Sequence, residues 1–198
     1  MGNMYSIGID LGSTTAKIAV FDEDKKMVYS DYVRHKADVR RTLIGLLRKV
    51  EGKFADTVFD FVVTGSAGLG LHERIGIPFV QELIAVSDFV KYTDQKVKSI
   101  IDIGGEDSKL IFFDRGKMPL MRMNGNCAGG TGAFIDQMAV VLGVEVGELD
   151  SLAAGAEHVY PIASRCGVFS KTDVQNLIAK GAAKQDIAAS VFNAVALQ

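Results

Sequence analysis

Apolar and polar positions follow two alternating spacings along the chain, one typical of strands and one typical of amphipathic helices. Short apolar runs predict strands at residues 4–10, 17–21, 27–33, 59–64, 99–103, 109–113, 117–123 and 159–163. Apolar residues spaced three and four apart predict helices at about 37–51, 80–90, 133–142, 171–180 and 185–197. The run 99–103 has the composition of a buried strand, and Ser170 with Asp173 forms a capping-box pattern at a helix start. This alternation predicts an α/β fold.

One strand-and-turn pattern occurs twice. Residues 7–13 and residues 101–107 each contain part of an apolar strand, an aspartate and a glycine-containing turn, and a further strand follows each turn. Two such units predict a duplicated fold with a cleft between its halves. We place the halves at residues 1–96 and 97–198.

Composition and charge exclude several classes of partner. The net charge of −2 gives no reason to expect nucleic acid or an anionic membrane. No apolar run is long enough to span a bilayer, and the first residues lack the pattern of a signal peptide. We therefore expect a cytoplasmic protein that binds neither nucleic acid nor membrane, in which a disulfide between Cys127 and Cys166 is disfavoured.

The first glycine-containing turn has the chemistry of a phosphate-binding loop. Its glycine allows close backbone approach, its hydroxyls and successive N–H groups can hold an anion, and a lysine adds positive charge. The candidate phosphate-binding residues are Gly12, Ser13, Thr14, Thr15 and Lys17. Asp10, at the strand end, is placed to hold a hydrated Mg²⁺ ion. A plain hairpin would use similar residues, and the spacing is not that of a Walker A loop.

The second glycine-rich turn favours the phosphate-binding interpretation over the plain hairpin. Its candidate phosphate-binding residues are Gly104, Gly105 and Glu106. Asp102 stands at the strand end, as Asp10 does in the first turn. We therefore expect Asp10 and Asp102 to position Mg²⁺ and water.

The two cysteines have matching surroundings. Cys127 and Cys166 each lie in a polar, glycine-containing loop that a helix-like pattern follows. A lone intracellular cysteine is usually an inert buried thiol, but polar loops are poor places for such thiols. Two thiols cannot complete a four-thiolate metal site, whereas two copies of the chain could. The helix N-termini after the loops would direct N–H groups toward the negative charge of a cluster.

These motifs resemble those of a known family. The segment GIDLGSTT at residues 8–15 resembles the phosphate-1 loop of the actin, Hsp70 and sugar-kinase superfamily, and DIGGED at 102–107 resembles its phosphate-2 loop. The segments around the two cysteines, at 124–132 and 164–169, resemble the activator component of 2-hydroxyacyl-CoA dehydratases, related to ATP-hydrolysing subunits of benzoyl-CoA reductase. The resemblance implies an actin-like ATPase (ribonuclease H-like) fold of two βββαβα-type halves, the second incomplete at its C-terminus.

The resemblance also implies a function. It implies a homodimer with one [4Fe–4S] cluster, ligated by Cys127 and Cys166 of both subunits. ATP binding and hydrolysis to ADP, with Mg²⁺, would drive the transfer of one low-potential electron from this cluster. Ferredoxin or flavodoxin would supply the electron, and an acyl-CoA dehydratase component or a related CoA-ester reductase would accept it.

Several departures from the family pattern qualify these expectations. Glu106 replaces a usual glutamine, which adds negative charge where phosphate would bind, and Val86 replaces a frequent histidine. The segment that usually follows, with the adenosine site and closing strands, does not appear, so we expect a fragment or module of a longer chain. Two alternatives stay open: a sugar or carboxylate kinase of the same fold without a cluster, and a regulatory ATP-binding module without turnover.

Overall fold

The structure of the protein is a computed structural model that describes residues 4–94, 96–114, 116–124 and 129–198. The chain divides into two compact units, one ending at Val97 and the other beginning at Lys98. Each unit is described by itself. None of the helices in these described ranges is long and apolar enough to cross a membrane.

The first unit is a four-stranded sheet with three helices. Its strands are β1 (Met4–Leu11), β2 (Thr15–Phe21), β3 (Met27–Arg34) and β4 (Val58–Thr64). Its helices are α1 (Val39–Lys53), α2 (Gly68–Ile75) and α3 (Glu82–Thr93). The strand order is β3-β2-β1-β4, in which β4 lies parallel to β1 and the other neighbours are antiparallel.

Side-chain alternation along β1 and β2 places the core residues of this unit on one face of the sheet and candidate site residues on the other. Alternate residues of the two strands point to one face and pack against α1, whose N-terminus is capped by the Asp38 side chain. The buried residues of this core are Ile7, Ile9, Leu11, Ala16, Ile18, Val20, Leu43, Leu46, Val50 and Val63. Asp10 and Lys17, which pair across β1 and β2, lie on the opposite face.

The second unit combines a small sheet with a cluster of helices. Its strands are β5 (Ser99–Ile103), β6 (Ser108–Phe112) and β7 (Leu120–Asn124), which form an antiparallel sheet in that order. Its helices are α4 (Gly132–Leu142), α5 (Leu149–Ala153), α6 (Gly167–Ala179) and α7 (Lys184–Ala196). Apolar faces of the helices form one buried cluster, whose largest members are Phe134, Met138, Leu142, Leu149 and Ile187.

Most predicted elements are confirmed, and two short helices are additions. α2 and α5 were not predicted from the sequence. Gly68 and Gly70 lie within α2 and lower its helix propensity, which explains why the pattern there was weak. α5 has only 5 residues, too few to show a helical period.

The predicted strand at 159–163 is wrong, because this segment pairs with no strand among the described residues. Helix side chains accept N–H groups from this segment and from the two residues before it. Asp186 Oδ1 accepts from the N–H groups of Glu157 and His158, at 2.9 and 3.1 Å, and Ser190 Oγ accepts from Tyr160 N at 2.8 Å. Three N–H groups of residues 157–160 are therefore paired without a sheet.

The predicted capping box at Ser170 and Asp173 is also wrong. α6 begins at Gly167, with Cys166 as its N-cap, so Ser170 lies inside the helix. The Ser170 hydroxyl bonds the carbonyl oxygens of Ala163 and Cys166, and Asp173 Oδ2 accepts from Ala163 N at 2.9 Å. Both side chains hold Ala163 of the preceding segment, and Ser170 also bonds the N-cap carbonyl of Cys166.

The prediction that β5 is buried is contradicted. Ile101 is 72% exposed and Ile103 is 45% exposed. Both lie on one face of the three-stranded sheet, and no described element covers that face. The apolar composition of β5 indicated a strand correctly but not its degree of burial.

We expect Asp186→Asn to destabilise the second unit and to weaken the dependence of its stability on pH. The N–H groups of Glu157 and then His158 hold the pKa of Asp186 below its ordinary value. Between the lowered pKa and the unfolded value of about 4, the unfolded chain binds more protons than the folded chain. Stability present above about pH 4 is therefore lost as the pH falls, which urea unfolding at a series of pH values would measure.

Asp114→Asn is the matched control. Asp114 forms an exposed i,i+3 ion pair with Lys117, which contributes little to stability. An Asp186→Asn variant that keeps the unfolding midpoints of the wild-type chain at every pH would contradict this account.

Candidate functional site

The first glycine-containing turn joins β1 to β2 and gathers several predicted site residues. Gly12 N donates to Thr15 O at 2.9 Å, which closes the turn around Ser13 and Thr14. Lys17 Nζ lies 2.7 Å from Asp10 Oδ2, and it also lies 5.6 Å from the centre of the Tyr32 ring. Asp10 thus carries an ion-pair partner from the neighbouring strand.

Two buried oxygen atoms beside this turn have no hydrogen-bond partner among the described residues. They are Asp10 Oδ1 and Thr64 Oγ1. Asp10 and Thr64 are register partners in the parallel pair β1–β4. Because a buried polar atom without a partner is costly, the pair fits an external partner such as a hydrated Mg²⁺ ion, which prefers oxygen ligands. Thr64 was missed from the sequence, although it is the last residue before a strand-ending glycine.

Gly65 allows the backbone after β4 to cross close to β1. Its φ is +91°, and a Cβ there would lie 2.4 Å from Leu11 O and 2.6 Å from Asp10 Oδ1. Ala67 N then donates to Leu11 O at 2.9 Å. No side chain fits at Gly65, and this close approach holds the Asp10 carboxylate in place.

The second turn repeats the charge pairing of the first. Asp102 and Lys109 are register partners in β5–β6, as Asp10 and Lys17 are in β1–β2. Lys109 Nζ lies 2.9 Å from Asp107 Oδ1 and 3.9 Å from Asp102 Oδ2, and its side chain is only 11% exposed. Lys109 was missed from the sequence, although its spacing from Asp102 repeats that of the first turn.

Backbone hydrogen bonds attach the second turn to the start of α4. Gly132 N donates to Gly104 O at 2.7 Å, and Ala133 N donates to Gly105 O at 3.2 Å. A Cβ on Gly132 would lie 3.1 Å from Gly104 O, so the contact requires a glycine or a shift of the turn. Movement of the turn is therefore transmitted to α4.

The structure describes the surroundings of one predicted cluster ligand. Cys127 lies outside the described residues. Cys166 is a free, half-buried thiol at the N-cap of α6. A Cβ on Gly167 would lie 3.6 Å from Gly129 N, so the start of α6 lies close to the segment that follows Cys127. Within the described part of the chain, no three His, Cys, Asp or Glu side chains converge as a metal site.

The chain matches the model of the BadF/BadG/BcrA/BcrD ATPase family over residues 7–198. It belongs to this family of ATPases. The chain is 33% identical to the (R)-2-hydroxyglutaryl-CoA dehydratase activating ATPase of Acidaminococcus fermentans, over 98% of the chain and 75% of that relative. It is 30% identical to the 2-hydroxyisocaproyl-CoA dehydratase activator of Clostridioides difficile, over 98% of the chain and 73% of that relative.

Solved structures of activators share the fold. The activator of the 2-hydroxyisocaproyl-CoA dehydratase from Clostridium difficile with bound ADPNP matches with a TM-score of 0.86 and 29% identity, over 98% of this chain and 73% of that chain. Component A of the Acidaminococcus fermentans (R)-2-hydroxyglutaryl-CoA dehydratase matches with a TM-score of 0.82 and 31% identity, over 98% of this chain and 75% of that chain. The predicted α/β actin-like ATPase fold and the predicted family are confirmed.

We expect Gly65→Ala to impair both stability and nucleotide binding, with Gly76→Ala as its matched control. Both glycines have positive φ, but a Cβ on Gly76 meets nothing within 4 Å. Gly76→Ala therefore carries only the left-handed backbone cost of about 1–2 kcal/mol, whereas Gly65→Ala adds about 1–3 kcal/mol of overpacking. Unfolding midpoints and titration with a fluorescent ATP analogue measure both effects. Equal losses in the two variants would contradict the role given to Gly65.

We expect Glu106→Gln to strengthen ATP binding about two- to five-fold at low ionic strength, because it removes a carboxylate from the turn that the sequence predicts to bind phosphate. Glu106 is exposed, so added salt should reduce the gain. Calorimetric titration at two salt concentrations checks this. Asp114→Asn removes an exposed charge beyond the other end of β6 and should leave ATP affinity unchanged. A Glu106→Gln variant with wild-type affinity at low salt would show that Glu106 does not face the phosphates.

Proposed function

We propose that the chain is the ATP-dependent activator of a 2-hydroxyacyl-CoA dehydratase or of a related CoA-ester reductase. In this role it couples ATP hydrolysis to the transfer of one low-potential electron. Family membership supports the ATPase activity, and relatives named as dehydratase activators support a dehydratase as the partner. A benzoyl-CoA reductase subunit from Thauera aromatica, 28% identical over 91% of the chain, supports the wider class of CoA-ester partners.

The observation that carries this proposal is the attachment of the second turn to α4. A simple ATPase needs a phosphate-binding turn, but it does not need that turn bonded to a helix that follows a cysteine loop. Here the carbonyls of Gly104 and Gly105 accept from the first N–H groups of α4, and Gly129 lies against the start of α6. A change at the turn can therefore reach α4, which follows Cys127 in the sequence, and through Gly129 the start of α6 beside Cys166.

In the proposed arrangement, Cys127 and Cys166 from two copies of the chain ligate one [4Fe–4S] cluster. A cluster of this type supplies one-electron transfer at low potential. The free thiol of Cys166 at a helix N-terminus suits an anionic cluster. Since each chain contributes two thiolates, the site would be complete only in a homodimer.

The residues of the two turns perform the nucleotide chemistry in this proposal. Gly12 allows close approach of phosphate, whose oxygens bind to backbone N–H groups and hydroxyls at Ser13, Thr14 and Thr15, with Lys17. Gly104, Gly105 and Glu106 form the second phosphate-binding turn. Asp10 and Asp102 would hold Mg²⁺ and orient water. The buried oxygens of Asp10 and Thr64 support the cation site, since they otherwise lack partners among the described residues.

The proposed setting follows from this chemistry. Halves at residues 1–96 and 97–198 carry one turn each. The protein works in the cytoplasm, receives electrons from ferredoxin or flavodoxin, and docks onto the dehydratase component.

Anaerobic preparation of the chain and its Cys166→Ser variant tests the proposal. We expect the reconstituted wild-type chain to be a brown dimer with about four iron atoms per dimer and absorbance near 400 nm, and the variant to lose the cluster. ATP should accelerate electron transfer from reduced wild type to a dehydratase component, but not from the variant. ATPase activity in a colourless chain that phosphorylates a sugar or carboxylate would instead favour the kinase alternative.

A further inference from the structure

His35 is a buried polar side chain with no part in the function proposed so far. It lies between β3 and α1 and is only 6% exposed. Its Nε2 atom lies 3.1 Å from Gly12 O, and its backbone N–H donates to Thr14 O at 3.2 Å. One residue thus contacts two carbonyls of the first turn, on either side of Ser13.

We propose that His35 is a positioning residue that aims the backbone N–H groups of Ser13 and Thr15 toward bound phosphate. The inference deepens the proposed function and rests on its assignment of ATP to this turn. His35 itself acts through the turn and does not touch the nucleotide.

Peptide geometry connects His35 to the N–H groups. In a trans peptide the C=O and the following N–H point in opposite directions, and the described residues contain no cis peptide bond. Because Gly12 O faces His35, the N–H of Ser13 points away from it. Because Thr14 O faces His35 N–H, the N–H of Thr15 points away as well. Two donors are thereby directed away from His35, as an anion-binding turn requires.

The hydrogen-bond partners assign the tautomer of His35. Ala37 N donates to Nδ1 at 3.1 Å, so Nδ1 acts as an acceptor. The ring proton of the neutral imidazole is then on Nε2, which donates to Gly12 O. Both ring nitrogens are engaged, which fixes the ring orientation.

Backbone conformation supports a specific role for this histidine. Lys36 and Ala37 both have positive φ, at 48° and 65°, and Asp38 N donates to His35 O at 2.8 Å. Left-handed conformations cost non-glycine residues about 1–2 kcal/mol each. Such strain persists where surrounding contacts determine the backbone, and it clusters at functional sites. The strained turn holds His35 against the first glycine turn.

Two substitutions separate the contacts of His35. In His35→Gln the side-chain amide can replace Nε2 and donate to Gly12 O, but the acceptor for Ala37 is lost. In His35→Asn the side-chain oxygen can replace Nδ1 and accept from Ala37, but the donor to Gly12 is lost. Because each variant loses one ring contact, a purely structural role predicts similar effects on stability and on ATP binding. His72→Asn, on an exposed histidine of α2, is the control.

We expect His35→Asn to weaken binding of a fluorescent ATP analogue about ten-fold, which corresponds to about 1.4 kcal/mol. His35→Gln should bind within about two-fold of the wild-type chain, since loss of the neutral hydrogen bond at Ala37 does not reach the turn. Unfolding midpoints of the two variants should fall by similar amounts. Nucleotide affinities that fall equally, or not at all, in the two variants would overturn the inference.

Hydrogen exchange of residues 10–17 without nucleotide gives an independent measurement. We expect faster exchange in His35→Asn than in His35→Gln, since only the first releases the Gly12 peptide. Equal exchange would overturn the positioning role. A wild-type chain that fails to bind ATP would overturn the proposed function, whereas the exchange comparison would still decide whether His35 orders the turn.

Discussion

The hydrogen bonds from the start of α4 to the carbonyls of Gly104 and Gly105 are the constraint on which the second unit depends. A glycine turn presents few side chains, so its backbone groups need partners from elsewhere in the fold. Helix N-termini have unpaired N–H groups, and here two of them are used to hold the turn. The arrangement joins a sheet with an open face to a helical cluster that has its own apolar core.

The two turns resemble each other in charge as well as in shape. Each strand-end aspartate faces a lysine from the next strand, at Asp10–Lys17 and Asp102–Lys109. The turns differ in how they are supported. The first is held by Gly65 and by His35, which come from other parts of its own unit, while the second is held by α4. The two turns thus have separate supports.

The sequence predicted the sheets and both turns, because strand period and glycine position are local signals. It did not predict partners brought together by folding. The segment 159–163 has a strand composition, but its neighbourhood is held by hydrogen bonds to Asp186 and Ser190, which lie far along the chain. Thr64 and His35 were missed as site residues for the same reason. Thr64 is the register partner of Asp10, and His35 contacts the carbonyl of Gly12 across the fold. Cys166 lies at the start of a helix, as the sequence predicted, whereas Cys127 lies outside the described residues.

The segment that leads to Cys166 is attached in an unusual way, with a consequence for access to the thiol. Its N–H groups donate to separate side chains on α6 and α7 rather than to a neighbouring strand. A ladder of strand hydrogen bonds opens cooperatively, whereas separate side-chain contacts can open a few at a time. Local unfolding here would expose Cys166 while the helical core stays intact. The half-buried Cys166 thiol can thus become more exposed without global unfolding.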